Sequence, residues 1–267
     1  MPFWKIFEKE KLKITKEKGE IYMLNINTLS HKDNVSVLGK PEQVESTSPI
    51  YTLPEGFEFE NDVRISGILD PHPISKWENN DNMYYRYHMK SVRLSGTYDT
   101  MTVVIKDTLF NPIVADHDMS VTVLGVIKVR TIYDDNGGRH KDMFVLAKEV
   151  IPADPTEGEM PHFNVVRLAG LVVNEPFVRK TPNGMEIAEV FLKVKDSRNG
   201  STYIPCIAWG HNAKKLEKVG KYATISVLGR YQSREYEKKI SEKQRVKKTT
   251  YEVSIERVPY IHENVMM

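Results

Sequence analysis

The sequence predicts an all-β chain of two tandem five-stranded Greek-key barrels, the second with a short helix between its third and fourth strands. Three observations lead there: length, an internal repeat, and strand-like alternation broken by turn residues. At 267 residues, with roughly 100–200 residues per domain, the chain has room for about two domains that each bury a core. Val63-Arg64-Ile65-Ser66-Gly67-Ile68-Leu69 matches Val166-Arg167-Leu168-Ala169-Gly170-Leu171-Val172 position by position in character, and Val121-Thr122-Val123-Leu124-Gly125 matches Ile225-Ser226-Val227-Leu228-Gly229. The two glycines are 58 residues apart in one copy and 59 in the other. Each matched segment is short, apolar and rich in β-branched side chains, with glycine where a strand bends or bulges.

The second copy can be read element by element. A first strand is expected from about Asn164 to Phe177, bent near Gly170. Thr181-Pro182-Asn183-Gly184 then makes a hairpin, because Asn and Gly tolerate positive φ. A second strand, Glu186 to Lys195, places Ala188, Val190, Leu192 and Val194 on one face. Asn199-Gly200 turns into a third strand, Thr202 to Trp209. Asn212 is suited to cap a helix over Ala213 to Val219, with Gly220 ending it. A fourth strand, Ala223 to Tyr236, and a fifth, Thr250 to Val258, flank a loop rich in lysine. Five strands with a helix between the third and fourth describe an OB-fold. In the first copy Asn79-Asn80-Asp81-Asn82 and Asp134-Asp135-Asn136-Gly137-Gly138 serve as hairpins, and Pro112 stands where the helix would be, predicting a short or irregular connection. The expected layout is therefore an extension and linker over 1–55, a divergent acidic OB-fold over 56–153, a linker over 154–162, a basic OB-fold over 163–262, and a short tail, 263–267. Within the extension, Phe3, Trp4, Ile6 and Phe7 precede a lysine and glutamate run to Glu20 that suits either an amphipathic helix or a solvated one, and 46–54 reads as linker.

Composition excludes several classes. With 40% hydrophobic and 28% charged residues at a net charge of +2, the chain is too apolar and too nearly neutral for disorder. A lone cysteine, Cys206, supports neither an internal disulfide nor a CxxC zinc site. The opening MPFWKIFEKEK lacks the apolar run of a signal peptide, and no stretch of about 18 apolar residues occurs; a soluble, cytoplasmic protein is expected. The eight histidines do not cluster at metal-ligand spacing, Asp116-His117-Asp118 reads as loop, and Gly220-Lys221 lacks the spacing of a phosphate loop. Neither cofactor, metal nor catalytic activity is expected.

The charge is unevenly placed. Residues 1–55 carry 8 basic and 8 acidic side chains, residues 56–163 carry 11 and 17, and residues 164–267 carry 19 and 11. An acidic middle of net −6 therefore masks a basic C-terminal third of net +8, an asymmetry that points to an anionic partner for one domain. The stretch RYQSREYEKKISEKQRVKK, from Arg230 to Lys248, is dense in Lys and Arg, Lys238 and Lys239 among them, with Tyr231 and Tyr236 interleaved. Cations neutralise phosphates and aromatic faces stack bases, which is what a sequence-tolerant single-strand binder uses; a solvated basic hairpin is the plain alternative. In the third strand Tyr203, Pro205, Ile207 and Trp209 share one face and Ile204, Cys206 and Ala208 the other. Small residues suit the barrel interior, yet tryptophan is usually largely buried, so either face is compatible with core.

Residues 164 to 260 resemble the bacterial single-stranded-DNA-binding protein family. The segments that carry the resemblance are NVVRLAGLVVNEPFVRKTPNGMEIAEVFLKVKD (164 to 196), TYIPCIAWG (202 to 210), ISVLGRYQSREYE (225 to 237) and TTYEVSIERV (249 to 258). The resemblance implies base stacking on Tyr203, Trp209 and Tyr236, and phosphate contacts from Arg179, Lys193, Arg230 and Arg234. It leaves no counterpart for an aromatic around Asp196 to Arg198, and the chain ends His262-Glu263-Asn264-Val265-Met266-Met267 instead of in the family's acidic recruitment tip. In the first copy the position of Trp209 is held by Lys106 and that of Tyr236 by Ile132, so no comparable groove is expected there, and Tyr84, Tyr85 and Tyr87 are assigned to packing or to an interface. The family commonly assembles four OB-folds, so a homodimer of this two-barrel chain is expected, with a monomer mass by light scattering as the result against it. The function implied is sequence-tolerant binding of single-stranded DNA in replication, recombination or repair. The alternative is an assembly module of a replication-restart, phage or plasmid system that binds single-stranded DNA or RNA weakly. No membrane partner is expected.

Overall fold

The computed structural model describes residues 53–93, 95–110, 118–133, 139–153, 163–195, 200–239 and 245–264, together with two short backbone segments near the N-terminus. The chain divides into two compact units, Met1–Thr47 and Ser48–Met267. In the first unit the described backbone is an antiparallel pairing of β1 (Lys16–Glu17) with β2 (Glu20–Ile21), so that part of the expected helix is a small β-ladder. The rest of that helix, the 134–138 hairpin, Pro112 and the 154–162 linker lie outside the described residues.

The second unit holds two OB-folds in tandem. The first is formed by β3 (Glu60–Leu69), β4 (Ser75–Asn79), β5 (Asn82–Val92), β6 (Tyr98–Lys106), β7 (Met119–Tyr133) and β8 (Arg139–Pro152). The second is formed by β9 (Asn164–Val172), β10 (Phe177–Lys180), β11 (Glu186–Lys195), β12 (Ser201–Trp209), α1 (His211–Leu216), β13 (Thr224–Lys239) and β14 (Arg245–His262). One sheet runs through both, in the order β10-β11-β12-β14-β13-β9-β3-β7-β8-β6-β5-β4, and the pairings β11–β9 and β3–β5 close the two barrels. Each barrel has one parallel pair, β12 with β14 and β6 with β8. The barrels meet along β3 and β9, antiparallel, with Val63 opposite Val166. Those two valines are also matched positions of the sequence repeat, so the junction is a pseudo-twofold.

Alternation builds the core. Ala188, Val190, Leu192 and Val194 of β11 are buried, as are Ile204, Cys206 and Ala208 of β12, which places the small and aliphatic face of β12 inside the barrel. The four repeat glycines sit where a neighbouring strand crosses too closely for a side chain: a Cβ would press on the backbone carbonyl of Lys90 at Gly67, Leu146 at Gly125, Lys193 at Gly170 and Ser254 at Gly229. The register shifts at Leu124/Gly125 and at Leu228/Gly229 mark bulges there. Asn80 and Asp81 turn β4 into β5 at φ 49° and 59°, the two left-handed residues that a tight hairpin requires.

Several boundaries differ from the sequence reading. The expected first strand of the second copy stops at Val172, and the chain after Phe177 joins the partner strand β11 as β10, tied by Thr181 N–H to Met185 O at 2.8 Å. Among the described residues each barrel has six strands, five plus a short edge strand. The helix starts earlier, at His211, behind Gly210 at φ 52° and with no side-chain cap. Asn212 instead donates its amide to Glu256 O at 2.9 Å, pinning the helix to β14. Most of the lysine-rich loop is strand, because β13 reaches Lys239 and β14 begins at Arg245.

Candidate nucleic-acid interface

The outward face of the C-terminal barrel is set by the same alternation that fills its core. Since Ile204, Cys206 and Ala208 point inward, Tyr203 and Trp209 point out, and they are 43% and 37% exposed. They lie roughly 20 Å apart along β12 at about 3.3 Å per residue. On β13 Tyr236 is 39% exposed, opposite Lys248 of β14. Tyr231 is fully buried instead, its hydroxyl donating to Met143 O at 2.9 Å, and burial pushes its phenol well up. Of the two tyrosines interleaved in the basic stretch, only Tyr236 is on the surface.

The register fixes which side chains are neighbours across the strands. Arg179 of β10 is opposite Ile187, and Ile187 is opposite Trp209. Lys193 is opposite Tyr203. On the next pair of strands Arg230 is opposite Ser254 and Arg234 opposite Thr250. By register and parity Arg179, Lys193, Arg230 and Arg234 therefore lie on the same sheet surface as Tyr203, Trp209 and Tyr236. Lys238 and Lys239 belong to β13 by backbone, and their side chains lie outside the described residues.

Two features were not read from the sequence. Phe191 has the outward parity of Lys193, sits opposite Pro205 and is exposed, and Phe177 is exposed at the rim of the same surface. The β11 alternation that buries Val190 and Leu192 already implies an outward Phe191. The second feature is acidic. Glu189 pairs with Arg179 at 2.8 Å, and Glu252, only 7% exposed, accepts from Gln232 at 3.0 Å and pairs with Arg234 at 3.4 Å. These carboxylates fix the orientation of two arginines while reducing the net positive charge they offer. Cys206 lies beneath this sheet; burial, then the nearby Glu252 charge, raises its thiol far above the reactive range.

The N-terminal barrel presents a different surface. Tyr87 is buried and Tyr85 packs on the core, while Tyr84, on the outer face, is stacked on Trp77 at 5.9 Å and 13°. Asp142 accepts from Nη1 and Nη2 of Arg86, at 2.9 and 2.6 Å, and from Nε of Arg130 at 2.7 Å. Arg130 also lies over the rings of Trp77 and Phe144, at 5.6 and 5.5 Å. The arginines and aromatics of this face are thus engaged with one another. Among the described residues no group of three metal-binding side chains is found, and no helix is long and apolar enough to cross a membrane.

Comparison with known proteins gives a consistent picture for part of the chain. Residues 163–261 match the family model described as Single-strand binding protein family. No curated protein sequence matches. Among solved structures, the wild-type single-stranded DNA binding protein from Thermus aquaticus is similar at a TM-score of 0.60 and 17% identity, over 76% of this chain and 93% of that one. A deletion variant of the same protein gives a TM-score of 0.58, also at 17% identity, over 75% and 94% of the two chains. At that identity the likeness establishes the fold.

Proposed function

From the premise that residues 163–261 carry the pattern of the Single-strand binding protein family on an OB-fold, we propose that the chain binds single-stranded DNA with little sequence preference. The observation that carries the reading is the outward placement of Tyr203, Trp209 and Tyr236 among Arg179, Lys193, Arg230 and Arg234. Large aromatics left in solvent on a sheet whose opposite face supplies the core are surplus to folding and suited to stacking. The strand runs across β12 and β13, with bases on the three aromatic side chains and Phe191 beside them. Its phosphates lie near the four cations, whose neutralisation releases counterions. Protection or organisation of single strands in replication, recombination or repair is the role this chemistry serves, in the cytoplasm and with two copies of the chain presenting four barrels.

The second reading, an assembly module with weak nucleic-acid binding, draws on Glu189 and Glu252, which already hold Arg179 and Arg234. Titration of oligo-dT, oligo-U and duplex DNA at several salt concentrations, followed by tryptophan fluorescence, separates the two. The proposal expects oligo-dT to bind far more tightly than duplex and Trp209→Ala to weaken it by about tenfold or more, one stacked base contributing roughly 1–3 kcal/mol. Equal affinity for duplex, or an unchanged Trp209→Ala protein, would reduce the surface to a basic patch.

A further inference from the structure

β13, which carries Arg230, Arg234 and Tyr236, runs past its neighbour. It pairs with β9 from Thr224 to Gly229, and among the described residues no strand pairs with that edge beyond. An unpaired edge leaves the N–H and C=O of every second residue in need of partners. Tyr231 is the first such residue, and the side-chain amide of Asn164 replaces a strand, accepting from its N–H at 2.9 Å and donating to its carbonyl at 2.8 Å.

Ser233 is the second, and its partners come from the other barrel. Asp99 Oδ1 accepts the Ser233 N–H at 3.1 Å and its hydroxyl at 3.3 Å, while Arg93 donates to the Ser233 carbonyl at 3.1 Å. Arg93 grips both oxygens of Asp99, at 2.8 and 2.5 Å, and Asp99 is 1% exposed. Among the described residues the pseudo-twofold reproduces the first arrangement alone: Asn61 serves Ile127 with the same pair of hydrogen bonds, each 2.9 Å. Where Ser233 and Asp99 stand, the equivalent positions hold Val129 and Thr202. Among the described residues the second clamp is found on one side, the side whose strand leads to Tyr236.

We infer that Asp99 is a positioning residue for the nucleic-acid face, through which the N-terminal barrel holds the far part of β13 so that Arg234 and Tyr236 are set to meet a single strand. The inference rests on the reading of that face given above. Ordering the strand before binding removes an entropic cost from association. It also gives the acidic barrel a part in binding without touching the nucleic acid.

A double-mutant cycle on the full chain tests this, with oligo-dT affinity measured for wild type, Asp99→Ala, Tyr236→Ala and the double variant. Asp99→Ala is expected to weaken binding by about tenfold, comparable with one stacked base, and to add little once Tyr236 is already alanine. Amide exchange should accelerate over Ser233–Lys239 and stay unchanged in β7 and β11, which separates a local release from general unfolding. Should Asp99→Ala fail to fold, Arg93→Ala carries the same cycle, its side chain being partly exposed. Wild-type affinity in these variants, or losses that simply add, overturns the positioning role and leaves the face standing. Full affinity in Tyr236→Ala alone overturns that aromatic's place on the face, and the inference with it.

Discussion

Asp142 shows how individual residues settle what their composition left open. Its burial alone would raise the carboxyl pKa, but hydrogen bonds and charge from Arg86 and then Arg130 outweigh it, and the group is held below its ordinary value. The carboxyl is therefore ionised in the folded barrel at a pH where an unfolded chain would protonate it. Its stabilisation is complete above the ordinary value near 3.9 and is lost as pH falls from there through the lowered folded value. Thermal unfolding followed against pH is expected to show Asp142→Ala less stable by about 3 kcal/mol at neutral pH, the cost of leaving two guanidinium groups without their partner. The gap to wild type should narrow below about pH 4. In the sequence Asp142 was one unit of the net −6 of its segment; nothing local tied it to Arg86, 56 residues away. Tyr203, Trp209 and Cys206 were more legible, because period-two alternation sorts them into two faces and only the choice of face needed the structure.

At the level of elements, turn chemistry and glycine placement carried most of the information. β11 runs from Glu186 to Lys195, the predicted bounds, because Asn183-Gly184 and the polar residues after Lys195 delimit an alternating run. The repeat glycines are required by the crossing carbonyls described above. Gly229→Ala should therefore lower stability by about 2 kcal/mol, the range for inserting a group where packing leaves no space, and calorimetry of that variant against wild type is the check. Prediction failed where charge was taken for loop: Glu237, Arg245 and Lys247 sit in β13 and β14 because an antiparallel hairpin tolerates solvated side chains once its backbone ladder is complete. It failed again at α1, where Gly210 at φ 52° makes the entry that Asn212 was expected to cap.

Across the whole molecule, the internal repeat was legible as two copies of one fold, and the structure adds that the copies join about a pseudo-twofold through β3 and β9. The asymmetries matter most for function. One barrel turns Tyr203, Trp209 and Tyr236 to solvent among cations. The other locks Trp77, Tyr84, Arg86 and Arg130 into contacts with one another and with Asp142, and reaches across to Ser233. That contact joins residues 134 apart in the chain, and no local pattern encodes it. The central claim, that a single strand crosses the C-terminal barrel alone, is tested most directly by photo-crosslinking the full chain to bromouracil-substituted oligo-dT and mapping the modified peptides. Crosslinks at Tyr203, Trp209 and Tyr236 are the predicted result; crosslinks confined to Trp77 and Tyr84 would contradict it.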